Sequence, residues 1–219
     1  MNSRLLGIGM TSSRTRERML RRLQEQGIAD ERVLQAMRKA PRHIFVDEAL
    51  GSRAYEDSAL PIGFGQTISR PYTVAKMTEL VLAIQPRSVL EVGTGSGYQT
   101  AVLAQVMEQV YTVERILALQ QRARERLAEL GMRNVRYKHD DGQTGWPQHA
   151  PYDAILVAAA SPEVPIPLLQ QLAMHGRLIM PTGDATHQVL SLVVRTPEGF
   201  EQQTLSAASF VPLVHGVKS

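Results

Sequence analysis

A chain of 219 residues with a 43% hydrophobic fraction suits one globular domain with at most a small extension. It contains no cysteine, which excludes disulfides, cysteine metal sites and a cysteine nucleophile. The formal charge is only +3 although the pI is about 9.4, so basicity is weak support for a nucleic-acid partner.

Residues 1–12 read as a flexible leader, with Met10 as an alternative start. Leu5 to Met10 is too short and too glycine-rich for a signal-peptide core, and no run approaches membrane-spanning length. A soluble cytoplasmic protein is the default. From residue 13 onward a single domain is expected, with a helical cap and a loop over residues 13–70 and an α/β core over 71–219. Ser13 is placed to cap a helix from Arg14 to Gln26, with Met19, Leu20 and Leu23 on one face and Gly27 at its end. Asp30 caps a second helix with Val33, Leu34 and Met37 inward, stopped by Pro41. Arg14, Arg18, Arg21 and Arg22 surround the first apolar face, but glutamates and aliphatics interrupt them at helical spacing. That favours a packed cap with a solvated face over a phosphate-binding stripe, and no specific nucleic-acid contact.

A short helix is expected near Val46 to Leu50. The stretch from Leu60 to Tyr72 brackets Phe64, Ile68 and Tyr72 with two prolines and two glycines, as an organised loop over a pocket does. Phe64 and Ile68 are expected to shield that pocket. Pro71 starts a helix to about Ile84. The core then alternates: strand 88–92, helix, strand 109–113, helix 115–131, strand 134–138, strand 152–157, helix 168–174 and strand 176–180. Residues 188–195 and 200–205 read as strands with no helix between them, and 210–214 as a further one. Alternation giving way to strands predicts a doubly wound, mostly parallel sheet with an antiparallel C-terminal edge.

The centre of this pattern is Glu91-Val92-Gly93-Thr94-Gly95-Ser96-Gly97-Tyr98, a strand, a glycine turn and a helix start. A dinucleotide fingerprint reads G-x-G-x-x-G; here the spacing is G-x-G-x-G, and Tyr98 stands where the last dinucleotide glycine would be. Glu114 ends the next strand about 20 residues after the first glycine, where nucleotide-binding α/β units place the acid that takes ribose hydroxyls. Ligands of such sheets bind at the carboxyl ends of the strands, where Gly93 to Gly97, Glu114, Asp141 and residues 158–161 gather. Asp141 is suited to an adenine amino group. His139 reads as a strand-end residue, and the histidines are too scattered for a metal site.

The E-x-G-x-G-x-G run resembles motif I of the S-adenosylmethionine-dependent methyltransferases. The segment Ala59-Leu60-Pro61-Ile62-Gly63-Phe64-Gly65-Gln66-Thr67-Ile68-Ser69, followed by Pro71-Tyr72, is more specific: it resembles the signature loop of protein-L-isoaspartate O-methyltransferases. Pro41-Arg42, Phe45-Val46, residues 90–100, Val113-Glu114-Arg115, residues 151–155 and residues 210–214 resemble that family in the same order. The resemblance implies methylation of the α-carboxyl of L-isoaspartyl residues in damaged proteins and peptides, with S-adenosyl-L-methionine as cofactor and no metal. The ester then collapses to a succinimide that hydrolyses partly to normal aspartate. By position it implies Ser69 as the active-site serine, with Thr67 and Ile68 beside it at cofactor and substrate. It implies Glu91, Gly93, Thr94, Gly95, Ser96 and Gly97 as the cofactor loop, Glu114 as the ribose acid and Asp141-Gly142 as the adenine-side pair. Ile62, Gln66, Thr67, Ser69, Val211, Pro212 and Leu213 are implied at the substrate. Arg70 stands where bacterial members commonly have glutamine, and Asp140 where glycine is frequent. A monomer is the working expectation.

Rival classes fare less well. The sequence Ala158-Ala159-Ala160-Ser161 lacks the Asn/Asp-Pro-Pro-aromatic motif of amino-directed DNA enzymes, and cytosine-C5 enzymes need a cysteine. Tyr98 disfavours a dehydrogenase. Ser69 lacks the G-x-S-x-G elbow of a hydrolase. A binding module that keeps the fold without catalysis remains open, though the intact loop argues against it.

Overall fold

The structure is a computed structural model that describes Leu5 and residues 7–219; the rest of the expected leader lies outside the described residues. Helix α1 (Ser13–Glu25) and helix α2 (Glu31–Lys39) form the cap. Ser12, not Ser13, occupies the N-cap of α1 and makes no side-chain capping bond, whereas Asp30 caps α2 by accepting the Arg32 N–H. Met19, Leu20, Leu23, Val33, Leu34 and Met37 are all buried. At roughly 1.5–3 kcal/mol per buried side chain of this size, such a face anchors firmly. Two of the cap's arginines serve packing: Arg16 donates to the Arg38 carbonyl and Arg22 to that of Tyr55. Glu79 ties the cap to the core by accepting the N–H groups of Ala29 and Asp30.

The expected helix at 46–50 is instead a pair of 3₁₀ turns, Arg42–Phe45 and Glu48–Arg53. Between them and the core sits Arg42, fully buried with its guanidinium 4.9 Å above the Tyr98 ring and Nε donating to the Ala54 carbonyl at 2.7 Å. Desolvation pulls it down to about 10, so it stays charged at neutral pH and its stacking on Tyr98 pins the cap to the helix behind the glycine loop.

Residues 60–68 are a β-hairpin, β1 (Leu60–Gly63) with β2 (Gln66–Ile68). Helix α3 (Pro71–Leu82) follows. The core elements are β3 (Ser88–Val92), α4 (Tyr98–Leu103), β4 (Gln109–Glu114), α5 (Leu117–Glu129), β5 (Val135–His139), β6 (Tyr152–Val157), α6 (Ile166–Gln170), β7 (Leu172–Gly183), β8 (Gln188–Thr196) and β9 (Gly199–Ala208). They build a seven-stranded sheet in the order β5-β4-β3-β6-β7-β8-β9. β5 through β7 are parallel, and β8 and β9 run antiparallel to their neighbours, as the pattern predicts.

Three boundaries differ from expectation. α6 ends at Gln170 and β7 already begins at Leu172, because Leu172 pairs with Tyr152 ahead of the β-bulge in that ladder. α5 covers Leu117–Glu129, two residues shorter at each end than the expected 115–131. Residues 210–214 are no sheet strand; they make only an isolated bridge to Ala160. The chain leaves β3 for β4 on one side and returns to β6 on the other, so a crevice opens between the ends of β3 and β6.

Candidate active site

The wall of this crevice starts where β3 ends. Gly93 (φ +95°) and Gly95 (φ +53°) take left-handed conformations that favour glycine and turn the loop over the strand ends. Glu114 holds the loop from the end of β4: Oε2 accepts the Gly95 N–H at 2.8 Å and Oε1 the Ile116 N–H at 2.9 Å. Burial raises the Glu114 carboxyl, opposed by these backbone donors. Each oxygen keeps a lone pair for a further donor such as a ribose hydroxyl.

The hairpin forms the facing wall, with Gln66, Thr67, Ile68 and Ser69 on the cavity. Ser69 is half-buried, and its hydroxyl has no partner within the described chain. Gly93, Thr94, Gly95 and Ser96, then Glu114, Gly142, Ala158 and Ala159, complete the floor. The third side is the C-terminal segment, with Val211, Pro212, Leu213 and Val214 on the cavity. This segment is a strap across three strand ends. Leu213 N–H donates to the Ala160 carbonyl at 2.7 Å beyond β6, Gly216 N–H to Asp141 Oδ2 at 2.8 Å beyond β5, and Leu117 N–H to the Lys218 carbonyl at 2.9 Å beyond β4.

Four of the residues expected at the ligands stand behind this wall. Glu91 is fully buried on the strand face opposite Val92, where Oε2 accepts the hydroxyls of Thr100 and Thr112 at 2.6 Å each. Thr112 in turn meets Thr94 at 2.6 Å, so Glu91 reaches the cavity only through the loop it supports. Desolvation drives its carboxyl up to about 8, leaving it mostly neutral at pH 7. Gly97 (φ +88°) caps α4, and a Cβ there would come within 3.0 Å of Ala123, so it serves the packing of α4 on α5. Ile62 is buried and lies 3.6 Å from where a Gly95 Cβ would be. Asp141 is turned to the strap and to the Gln143 N–H; burial would raise its carboxyl, but the Gly216 and Gln143 donors and His215 outweigh that and lower it. Phe64, expected as a shield, is largely exposed at the hairpin turn between Arg122 and Lys218, whereas Ile68 does face the cavity.

A second hollow adjoins the first and shares Thr67, Ser69, Ala158 and Val211 with it. Its own walls are Arg70, Tyr72, Thr73 and Lys76 from the start of α3, and Leu190 with Ser206–Phe210 from the antiparallel edge. Sequence reasoning placed Tyr72 over a pocket and noted Arg70 as a departure from the family, but it missed Thr73, Lys76, Leu190 and the Ser206–Phe210 wall. The spacing of Arg70, Thr73 and Lys76, one helical turn apart and continuous with Ser69, was a usable signal; the β9 contribution had none.

The donor set fits S-adenosylmethionine better than a dinucleotide. Most of the loop's N–H groups are unavailable to a pyrophosphate, since those of Gly93, Gly95, Gly97 and Tyr98 are spent on Val113, Glu114, Thr94 and Ser96. Val92, Val113 and Ile116 give an apolar bed for a flat base, and Glu114 suits a diol. Fold and cavity together define an S-adenosylmethionine-dependent α/β methyltransferase.

Comparison with known proteins narrows this. Residues 14–218 match the family described as Protein-L-isoaspartate(D-aspartate) O-methyltransferase. The protein-L-isoaspartate O-methyltransferase of Pseudomonas paraeruginosa is 59% identical over 94% of this chain and 99% of its own length, and that of Xanthomonas axonopodis pv. citri 59% over 97% and 94%. A Plasmodium falciparum chain described as a protein-L-isoaspartate O-methyltransferase, solved with S-adenosyl-L-homocysteine, superposes with a TM-score of 0.81 at 26% identity, covering 91% of this chain and 98% of that one. The chain belongs to the protein-L-isoaspartate O-methyltransferase family.

Proposed function

We propose that this chain methylates the α-carboxyl of L-isoaspartyl residues at the junction of the two hollows. The observation that carries the reading is that Thr67, Ser69, Ala158 and Val211 line both spaces at once. S-adenosylmethionine supplies an electrophilic methyl group on a sulfonium. Glu114 and the loop Gly93–Ser96 hold it in the first hollow, and the isoaspartyl residue enters through the second.

A carboxylate with a pKa near 4 is already ionised at pH 7, so the reaction needs no general base. Its oxygen forms the bond to the methyl carbon as the carbon–sulfur bond breaks, leaving a neutral ester and a neutral thioether. The protein's task is alignment and exclusion of water. The Ser69 hydroxyl donates a hydrogen bond to the carboxylate oxygen that does not attack and so fixes the direction of the other. Ile68 and Val211 keep water away, and the small Ala158 leaves room for the in-line approach. The ester then closes to a succinimide by attack of the neighbouring backbone nitrogen with loss of methanol. Hydrolysis of that ring returns part of the material to normal aspartate.

This reading has damaged proteins and peptides as substrates, no specific nucleic acid and a single copy of the chain per active site. Among the described residues no helix is long and apolar enough to cross a membrane. A cytoplasmic setting, where the cosubstrate is at hand, goes with it. Transfer of labelled methyl to paired synthetic peptides, one with isoaspartate and one with aspartate, tests it. Label is expected in the isoaspartyl peptide alone, and equal labelling of both would sink the reading.

A further inference from the structure

The second hollow has a charge of its own. Its walls include Arg70 and Lys76 and no carboxylate. Arg70 is exposed; Nε donates to Thr73 Oγ1 at 3.2 Å and the guanidinium lies 5.5 Å from the Tyr72 ring centre. It has no carboxylate partner among the described residues. Two acids of the neighbouring elements, Asp57 and Glu79, are tied to the cap. Asp57 accepts the Tyr72 N–H and the Gln26 amide, turning towards the cap. Glu79 takes Lys76 only at 3.4 Å, with Oε1 given to the N–H groups of Ala29 and Asp30. The opposite wall, Ser206 to Phe210, is uncharged and carries two serines.

We infer that this hollow reads the residues flanking the isoaspartyl site and selects peptides with an acidic neighbour, through Arg70 with support from Lys76. The inference rests on the junction proposed above as the methyl-transfer point. An isoaspartyl residue passes the main chain through its β-carboxyl, so only the α-carboxylate points at the first hollow, and the flanking residues must lie in the second. An aspartate or glutamate one or two positions away then reaches the exposed Arg70 guanidinium. Arg70 is unsuited to gripping the attacking carboxylate itself. It lines only the second hollow, away from the glycine loop and Glu114, whereas Ser69 stands at the junction of the two. Arg70 is therefore a specificity residue rather than a catalytic one.

The test is a panel of isoaspartyl peptides with acetylated and amidated ends, identical except for glutamate, glutamine or lysine at the positions either side. At low salt the glutamate peptides should exceed the glutamine peptides in kcat/KM by about two- to five-fold, the range set by an exposed ion pair. The difference should lie in KM and shrink towards one in about 0.5 M salt, as screening predicts. Arg70→Gln should collapse the ratio to about one and Lys76→Gln should lower it partly, with melting temperatures confirming that both variants fold. No preference in the wild type, or a preference that survives Arg70→Gln, overturns the inference. A uniform loss across all three peptides in Arg70→Gln also overturns it, because Arg70 would then act on the common carboxylate. Absence of methyl transfer to every isoaspartyl peptide would instead defeat the underlying functional reading.

Discussion

The two hollows meet at Ser69 but are built by different means. The first is made of strand ends and loop backbone: the glycine loop leaves β3, Glu114 ends β4, Gly142 follows β5 and Ala158 follows β6. Its polar groups are fixed by short bonds within the sheet, such as Gly95 to Glu114 at 2.8 Å. The second is made of side chains from the start of α3 and from the end of the edge strand β9. The difference suits the two ligands. One cosubstrate of constant shape is met by a preorganised frame, and a protein substrate of variable sequence by long, exposed side chains. Changes in the first should therefore act on every substrate alike, and changes in the second should act selectively.

The largest effect is expected in the first hollow. Glu114→Ala removes the diol acceptor and also the two contacts that hold Gly95 and Ile116. Cofactor affinity should fall by about 1.5–3 kcal/mol, the range for a hydrogen bond to a charged group, and by the same factor for every peptide. Calorimetry with S-adenosylmethionine measures it, with NAD as a control that is expected not to bind. Unchanged affinity would remove Glu114 from the cofactor's contacts.

Ser69→Ala, at the boundary, should come next. With an already ionised nucleophile there is no covalent step to lose, only alignment. Turnover of isoaspartyl peptide should drop by about one to two orders of magnitude while cofactor affinity holds. The pH–rate profile should show no new basic limb. Full activity in this variant would reduce Ser69 to a turn residue, and a methylated Ser69 trapped in the wild type would replace direct transfer.

How far these regions were legible follows the same division. β3, the glycine loop and Glu114 are contiguous or set by a fixed spacing, so local pattern carries them. Glu91 shows where pattern alone misleads. It matches motif I, yet side chains alternate along a strand and Val92 faces the cavity, so Glu91 must face away. Asp141 was not recoverable, because its partner Gly216 lies 75 residues on. The β9 wall was hidden for a similar reason: only the order of the edge strands brings Ser206–Phe210 to Ser69. Residues 210–214 are apolar enough to read as a strand, but they lie as a strap at the sheet's end with a single bridge.

The strap contributes unequally to the two hollows, since Pro212, Leu213 and Val214 line only the first. Removing residues 214–219 deletes the Gly216 contact to Asp141 and the Lys218 contacts to residues 115 and 117. At about 0.5–1.5 kcal/mol net per hydrogen bond, and with part of that spent on ordering the tail, cofactor affinity should fall by about three- to ten-fold. The loss should be seen mainly as faster release in stopped-flow measurements. A shortened chain that retains the cofactor as well as the full one would make the strap incidental to closure.

The smallest functional effect is expected at Glu91, which supports the first hollow from behind, and there the readout is stability. In the folded chain its carboxyl titrates at about 8, against an ordinary value of 4.5. Between those values the unfolded chain has released a proton that the native chain keeps. Stability must therefore fall as pH rises through that window and level off above it. Glu91→Gln keeps an oxygen to accept the hydroxyls of Thr100 and Thr112 and removes the titration. The variant should lose stability near pH 5, where an unpartnered amide replaces a neutral carboxyl, and recover relative to the wild type as pH rises. The gap is expected to move in the variant's favour by about 2 kcal/mol between pH 6 and pH 8. Urea unfolding at a series of pH values measures it. Parallel curves for the two proteins would mean that Glu91 is ionised in the fold, and that a cation or an ordered water reaches Oε1, which has no partner among the described residues.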